Sequence, residues 1–237
     1  MTRASKDLNS AMQQESADQV TVLWFVWRMT GGIYMAKKVI VTIGRQFGSG
    51  GHEIGEKLAK RLGIKFYDKE LIKVIAKQSG LCEKVLESYD EKPTNSLLYS
   101  IVMDVYPSVM YTGPTIDQQI YQANYDAIRK LAEGSCVIVG RCADYILRDC
   151  PEMVSIFVHA SDDFRAARIA EEYHVSDAKA RDMLGKTDKK RASYYNFQSE
   201  KRWGVASGYN LCLDSSSIGI EESVALVTEY IKHRGLL

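Results

Sequence analysis

An α/β fold in three layers, with helices on both faces of a parallel sheet, is what the sequence predicts. Three observations lead there. Short apolar runs alternate with segments whose apolar residues recur every three or four places, the order that produces right-handed strand–helix–strand units. The strand candidates are apolar along their length, as strands covered on both faces are. A glycine-rich turn joins the first strand directly to the first helix. A chain of 237 residues, 46% hydrophobic and 26% charged, is long enough for one such domain with a large core.

The elements follow in order. Residues 39–43 read as a buried strand, and Ile54, Leu58 and Leu62, four apart, mark one face of the helix after it. Phe66 and Tyr67 form a short strand, with a helix expected over residues 69–78. The polar stretch 90–95, which contains Pro93, breaks the pattern; later helical segments are interrupted at Pro107 and at Gly113-Pro114. Residues 136–139 and 154–158 are central strands, residues 162–173 a helix, and residues 211–213 the last strand. Gly219, Ile220 and Glu221 open a final helix with Val224, Val227 and Ile231 on one face. There is no internal repeat and no low-complexity tract.

Residues 1–34 stand apart. They are polar and pattern-poor as far as Asp18, and the apolar run from Val20 to Trp27 is shorter than the roughly 20 residues a bilayer span needs. No basic region adjoins that run and no small-residue cleavage site follows it. Codons for Gly31-Gly32 can spell a ribosome-binding sequence just ahead of the Met35 codon. The expectation is a leader or disordered arm at 1–34, outside the native fold, and a domain at 35–237. The alternative is a genuine N-terminal arm or amphipathic anchor.

Bulk charge points to no partner. The net charge is +1, so phosphate binding must come from local clusters, and neither nucleic acid nor a membrane is implied. The five cysteines are scattered, odd in number and without a CxxC pair. That pattern argues against a disulfide framework or zinc site and fits a reducing cytoplasm.

The first strand runs into Gly44-Arg45-Gln46-Phe47-Gly48-Ser49-Gly50-Gly51-His52. Glycines let backbone N–H groups turn inward, and a helix N-terminus adds partial positive charge, so this turn is a candidate phosphate cradle. Gly44, Gly48, Ser49, Gly50, Gly51 and His52 are its binding candidates. The standard pattern is GxxxxGK[ST]. Here Gly51 stands in the lysine position, and His52 or Glu53 in the hydroxyl position. Arg45 could restore the missing charge, and His52 could when protonated. The plainer readings are a surface arginine and a polar helix start.

With these residues in view, the chain resembles the cytidylate kinase-like family, relatives of cytidylate kinase with an altered phosphate loop. The resemblance rests on GRQFGSGG, on Leu62-Gly63 and Phe66-Tyr67-Asp68, and on Val137-Ile138-Val139-Gly140-Arg141, similar to a "DGR" strand end. It continues in His159-Ala160-Ser161 with Arg165 and Arg168, in Asp188-Lys189-Lys190-Arg191, and in Leu213-Asp214-Ser215-Ser216. It implies a P-loop NTPase fold with a helical insert at about 81–133 and a lid at about 186–203. It also implies ATP and Mg²⁺ as cofactors and phosphoryl transfer to a nucleoside monophosphate or related small acceptor. Arg141 would clamp the acceptor phosphate, since a guanidinium can grip phosphate in bidentate fashion. Arg191 would close with the lid, and Asp188 would orient it. The plain alternative for Arg141 is a structural ion pair.

The sequence departs from cytidylate kinase in ways that matter. Val139 stands for the aspartate of "DGR", Cys142 for the aspartate after "GR", and Asp68-Lys69-Glu70 for the "DSG" acceptor segment. Phosphate handling reads as retained, while base recognition does not, and no metal ligand is identified. Two other readings stay open. One is a nucleotide-binding regulatory or vestigial protein without turnover. The other is a nucleic-acid-binding module using the basic and aromatic residues of 186–203.

Overall fold

The computed structural model describes residues 37–68 and 116–237. The expectations for residues 1–34, the helix at 69–78, the breaks at Pro93, Pro107 and Gly113-Pro114, and most of the insert lie outside the described residues. The strands are β1 (Ile40–Arg45), β2 (Lys65–Tyr67), β3 (Cys136–Val139), β4 (Met153–His159) and β5 (Leu211–Asp214). The helices are α1 (Gly51–Leu62), α2 (Ile116–Leu131), α3 (Ala143–Ile146), α4 (Asp162–Tyr173), α5 (Asp177–Gln198) and α6 (Ser215–His233). The sheet order is β2-β3-β1-β4-β5, and every pairing is parallel.

Alternation along β1 builds the three layers. Val41 and Ile43 join one core with Ile54 and Leu58 of α1 and with Val224, Val227 and Ile231 of α6. Ile40 joins the other, with Ala127 and Ile128 of α2 and Ala143 and Ile146 of α3. Fully buried branched side chains such as Ile40, Ile43, Ile54 and Leu58 contribute about 1.5–3 kcal/mol each. A third cluster, Ala166 and Ile169 of α4 with Ala180 and Leu184 of α5, packs against Phe47 of the glycine-rich turn. Two of the helix starts are set by serine caps: Ser161 accepts from Phe164 N–H and Ser176 from Lys179 N–H.

Four details differ from expectation. β1 runs two residues beyond the expected end because Gly44 and Arg45 continue to pair with Phe157 and Val158 of β4. Arg45 is therefore a strand residue. α3 was not expected; it has only four residues, too few for periodicity to show. The final helix begins at Ser215, capped by Asp214, and breaks at Gly219 (φ 80°, ψ 173°), where the sequence had placed its start. The segment 186–203 is helical only as far as Gln198. Among the described residues no helix is long and apolar enough to cross a membrane.

Candidate active site

The glycine-rich turn leaves β1 after Arg45 and enters α1 at Gly51. Its N-cap, Gly50, makes no side-chain cap. Gly48 and Gly50 have φ of 77° and 76°, in the left-handed region that favours glycine. A Cβ on Gly48 would lie 2.8 Å from the carbonyl oxygen of Arg165, and one on Gly50 would lie 2.3 Å from Ile220 Cδ1. The turn is thus packed on both flanks. It brings the first N–H groups of α1, with the positive end of the helix dipole, to the carboxyl edge of the sheet.

Side chains from α4, α5 and α6 and the backbone of β4 hold the turn in place. Gln46 N–H donates to Val158 O (3.0 Å), and Gln46 Oε1 accepts from Ala160 N–H (3.2 Å). Ser215 Oγ donates to Ser49 O (2.6 Å). Phe47 N–H donates to Asp188 Oδ1 (2.8 Å), and Arg165 Nη1 donates to Phe47 O (3.2 Å) and to Asp188 Oδ2 (2.5 Å). Arg165, 5% exposed, also pairs with Asp162 through Nη2 at 2.5 Å. This buried guanidinium therefore joins α4, α5 and the turn.

Past the turn lies a cleft that opens to solvent. Arg45, Arg141 and Arg191 line it together with Asp144, Tyr194, Tyr195, Trp203 and Tyr209. Arg191 reaches it from α5, donating through Nη1 to Arg45 O (3.2 Å), its guanidinium carbon 5.6 Å from the Phe47 ring centre. Arg141 is 9% exposed and follows β3 on a run of left-handed residues: Gly140 (φ 80°), Arg141 (φ 59°) and Cys142 (φ 55°). For two residues with side chains this conformation costs roughly 1–2 kcal/mol each. Such strain persists where surrounding structure enforces it, and it concentrates at ligand sites.

Two carboxylates stand near these arginines: Asp144 lines the cleft, and Asp68 feels the charges of Arg45 and Arg141. Asp68, at the end of β2, takes an ion pair from His52 Nε2 at 3.0 Å. That hydrogen bond, opposed by burial, holds the imidazole above its ordinary pKa. Burial pushes the Asp68 carboxyl up, but the His52 bond and the charges of Arg45 and Arg141 outweigh it, so its pKa lies below the ordinary value. Asp144, 7% exposed, accepts from Tyr195 Oη at 2.6 Å. Burial raises its pKa against that bond. Burial and the Asp144 charge likewise push the Tyr195 and Tyr209 hydroxyls up.

The structure brings Gly44, Arg45, Arg141 and Arg191 to one cleft, with Asp188 one residue contact away through Phe47. Two assignments change. Asp188 holds Phe47 N–H and Arg165, where the sequence had it orienting Arg191. Ser49 is fully buried, and both its N–H and its Oγ turn to Gln46 O, so it shapes the loop where it was expected to face phosphate. The sequence reading gave no role to Arg165, Asp144 or Tyr209, and it placed Tyr195 only among the aromatic residues of the nucleic-acid reading. Asp144 lies two places after Cys142, where the resemblance called for a carboxylate. That near miss in register was the available signal.

Residues 40–217 match the cytidylate kinase-like family. No curated protein matches the sequence. Among solved structures the chain is similar to an uncharacterized protein from Eubacterium ventriosum ATCC 27560, at 31% identity and a TM-score of 0.62, over 82% of this chain and 99% of that one. Lower likenesses include a shikimate kinase from Bacteroides thetaiotaomicron (16% identity, TM-score 0.47, 82% of this chain and 98% of that one). A gluconokinase from Sinorhizobium meliloti 1021 also falls in this group (15% identity, TM-score 0.42, 84% of this chain and 95% of that one). The parallel five-stranded sheet with helices on both faces is the P-loop α/β fold that the sequence predicts. The family match begins at the first residue of β1 and takes in every strand of the sheet, and the chain belongs to the cytidylate kinase-like family.

Proposed function

We propose that this protein transfers the γ-phosphoryl group of ATP to a small phosphorylated acceptor, with a nucleoside monophosphate of cytidylate type as the first candidate. The observation that carries this reading is the convergence of Arg45, Arg141 and Arg191 on one cleft where β1 runs into the glycine loop. Phosphoryl transfer needs alignment and positive charge around the moving group more than covalent help. In this reading the loop and α1 N–H groups hold the donor phosphates, Arg141 grips the acceptor phosphate, and Arg191 meets the transferred group from α5. An acceptor oxygen attacks the γ-phosphorus, the bond to the β–γ bridging oxygen breaks, and ADP leaves with the electron pair. Guanidinium groups already fixed in place need no reorganisation as charge develops.

Mg²⁺, when bound, supplies further charge neutralisation at the phosphates. It takes hard oxygen ligands, commonly one or two carboxylates with phosphates and water. Asp68 fits that requirement and would hold the ion. His52, in the position where the standard loop has a hydroxyl, does not fit.

The test is a coupled ADP-release assay with ATP and a panel of nucleoside monophosphates and small metabolites. Acceptor-dependent ADP release is expected, with cytidine monophosphate among the substrates and weak discrimination among bases. A second reading, nucleotide binding without turnover, is favoured by one observation: the lysine position is Gly51. ATP binding with no ADP release for any acceptor would make that reading the better one. A failure to bind ATP would sink both. The nucleic-acid reading predicts oligonucleotide binding that falls steeply with salt.

A further inference from the structure

The GxxxxGK[ST] pattern carries a glycine at its first position and the lysine at its seventh. Set on that spacing, with Gly50 as the sixth residue, this chain has Arg45 first and Gly51 seventh. The small residue and the cation have changed places. The geometry couples the two positions. A Cβ built on Gly51 would lie 2.5 Å from Arg45 Cβ, 3.2 Å from Arg45 Cγ and 3.3 Å from Val158 Cβ. Optimal separation between carbons is about 3.5–4.0 Å. The obstruction is not a mobile side-chain tip, because Arg45 Cβ is fixed by the strand pairing of Arg45 with Val158. Nor does the backbone demand glycine here. Gly51 opens α1 and is not among the residues of positive φ. Arg45 itself passes over Gly51 and lines the cleft with Arg141 and Arg191.

We propose that Arg45 and Gly51 are an exchanged pair: Arg45 brings from the strand the cation that the standard loop brings from the helix, and position 51 is glycine because Arg45 occupies its side-chain space. The ligand chemistry is the polyphosphate of a nucleoside triphosphate, so the charge role rests on the nucleotide reading above. The planar guanidinium can meet two phosphate oxygens at once, whereas an ammonium acts as a point charge. Arg45 is in these terms a donor-binding residue, and Gly51 is the gap that admits it.

Five proteins test the pair: wild type, Arg45→Ala, Arg45→Gly, Gly51→Lys, and the double variant Arg45→Gly with Gly51→Lys. Glycine is needed at 45 in the double variant because the collision begins at Cβ. The Arg45→Ala variant keeps the strand's Cβ and isolates the charge. Each is measured for Tm and, by calorimetry, for affinity toward ATP and toward inorganic tripolyphosphate. Arg45→Ala is expected to remain folded and to lose about tenfold or more in affinity for both probes, the scale of a charge-assisted hydrogen bond. Gly51→Lys alone is expected to lower Tm by several degrees and to lose affinity. The double variant is expected to recover Tm and affinity relative to Gly51→Lys. Wild-type affinity in Arg45→Ala overturns the charge role, and wild-type Tm in Gly51→Lys overturns the exclusion. A double variant no better than Gly51→Lys overturns the coupling. Failure of the nucleotide reading looks different: wild type itself then binds neither probe, which removes the charge role, while the Tm values alone still decide the exclusion.

Discussion

On one side of the cleft the glycine-rich loop is tied through its backbone to four other elements; on the other, the corner after β3 ties its backbone to β1 and to itself, Gly140 N–H donating to Ile43 O and Ala143 N–H to Gly140 O, and its link to α5 is a side-chain bond. The N–H of Gln46, both polar groups of the Phe47 backbone and the carbonyl of Ser49 all have partners, drawn from β4, α4, α5 and α6. Charged groups such as Asp188 and Arg165 serve that backbone. At the corner, three consecutive left-handed residues carry Arg141 and Cys142, and the buried Asp144 is steadied by Tyr195. A loop held through its backbone cannot change shape without disturbing its supports. A corner whose link to α5 runs through side chains can lose that link while its backbone bonds keep its shape. In the proposed reaction that difference separates a fixed donor site from an acceptor site open to variation.

The largest expected effect tests the tightness of the loop. Gly48→Ala adds a Cβ 2.8 Å from the Arg165 carbonyl oxygen at a φ of 77°. Gly63→Ala adds one at a φ of 65° with nothing within 4 Å. Both carry the left-handed penalty of about 1–2 kcal/mol. Only Gly48→Ala also carries overpacking of about 1–3 kcal/mol. In urea titrations Gly48→Ala should therefore be the less stable of the two by that second amount. Equal stability would mean that the loop yields, and the contrast with the corner would fail.

Asp188→Ala comes next. It takes from Phe47 N–H its acceptor and from the buried Arg165 its more buried carboxylate, leaving Asp162 as the remaining ion pair. Removing one partner of a buried pair costs roughly 3–5 kcal/mol, and the remaining pair with the exposed Asp162 should hold the loss near the lower figure. Circular dichroism melts would show it. If the loop depends on this link, nucleotide affinity falls with stability; unchanged affinity in a folded variant would place the link outside the donor site.

On the corner side, Tyr195→Phe removes the hydroxyl that donates to Asp144 Oδ2. A buried acceptor losing its partner costs about 1–3 kcal/mol. The ring stays, so the packing of Tyr195 is preserved. In the assay of the proposed reaction the KM for acceptor should rise while the KM for ATP holds. Equal changes in both would show that the two sides of the cleft are not separable.

The same contrast decides what was legible in the sequence. The loop could be read because its glycines lie together between an apolar strand and a periodic helix. The bounds of α4 could be read because Ser161 caps a helix that begins at once. The supports could not. Asp188 is 141 residues from Phe47, and Tyr195 is 51 from Asp144. No local pattern marks contacts at such separations; the sheet order and the packing of α5 create them. Arg45 shows the limit most sharply. Its sequence neighbours suggest a turn, but continued pairing with β4 keeps it in the strand, and only there does its stem cover Gly51.

The smallest effect belongs to His52, which reaches from the first turn of α1 to Asp68, just after β2. Its pKa is raised in the folded state, first by the Asp68 hydrogen bond, with burial opposing. The stabilisation it gives is therefore complete below its ordinary value of 6.5 and is lost as pH rises through the higher folded value. Asp68 behaves in the opposite sense. Its carboxyl lies below the ordinary 3.8 despite burial, so its share is present above 3.8 and is lost as pH falls through the folded value. The pair should stabilise most between those limits. The side chain of His52 is 51% exposed, so solvent screening holds the contribution to about 0–1 kcal/mol, at most a few degrees in Tm for a domain of this size. His52→Gln should consequently lower Tm more at about pH 5.5 than at about pH 8.5, and added salt should shrink the difference. His52 also meets the Phe66 ring edge-on at 5.3 Å. A loss of Tm that is the same at both pH values and indifferent to salt would assign the residue to that packing contact, leaving Asp68 to be held by Arg45 and Arg141.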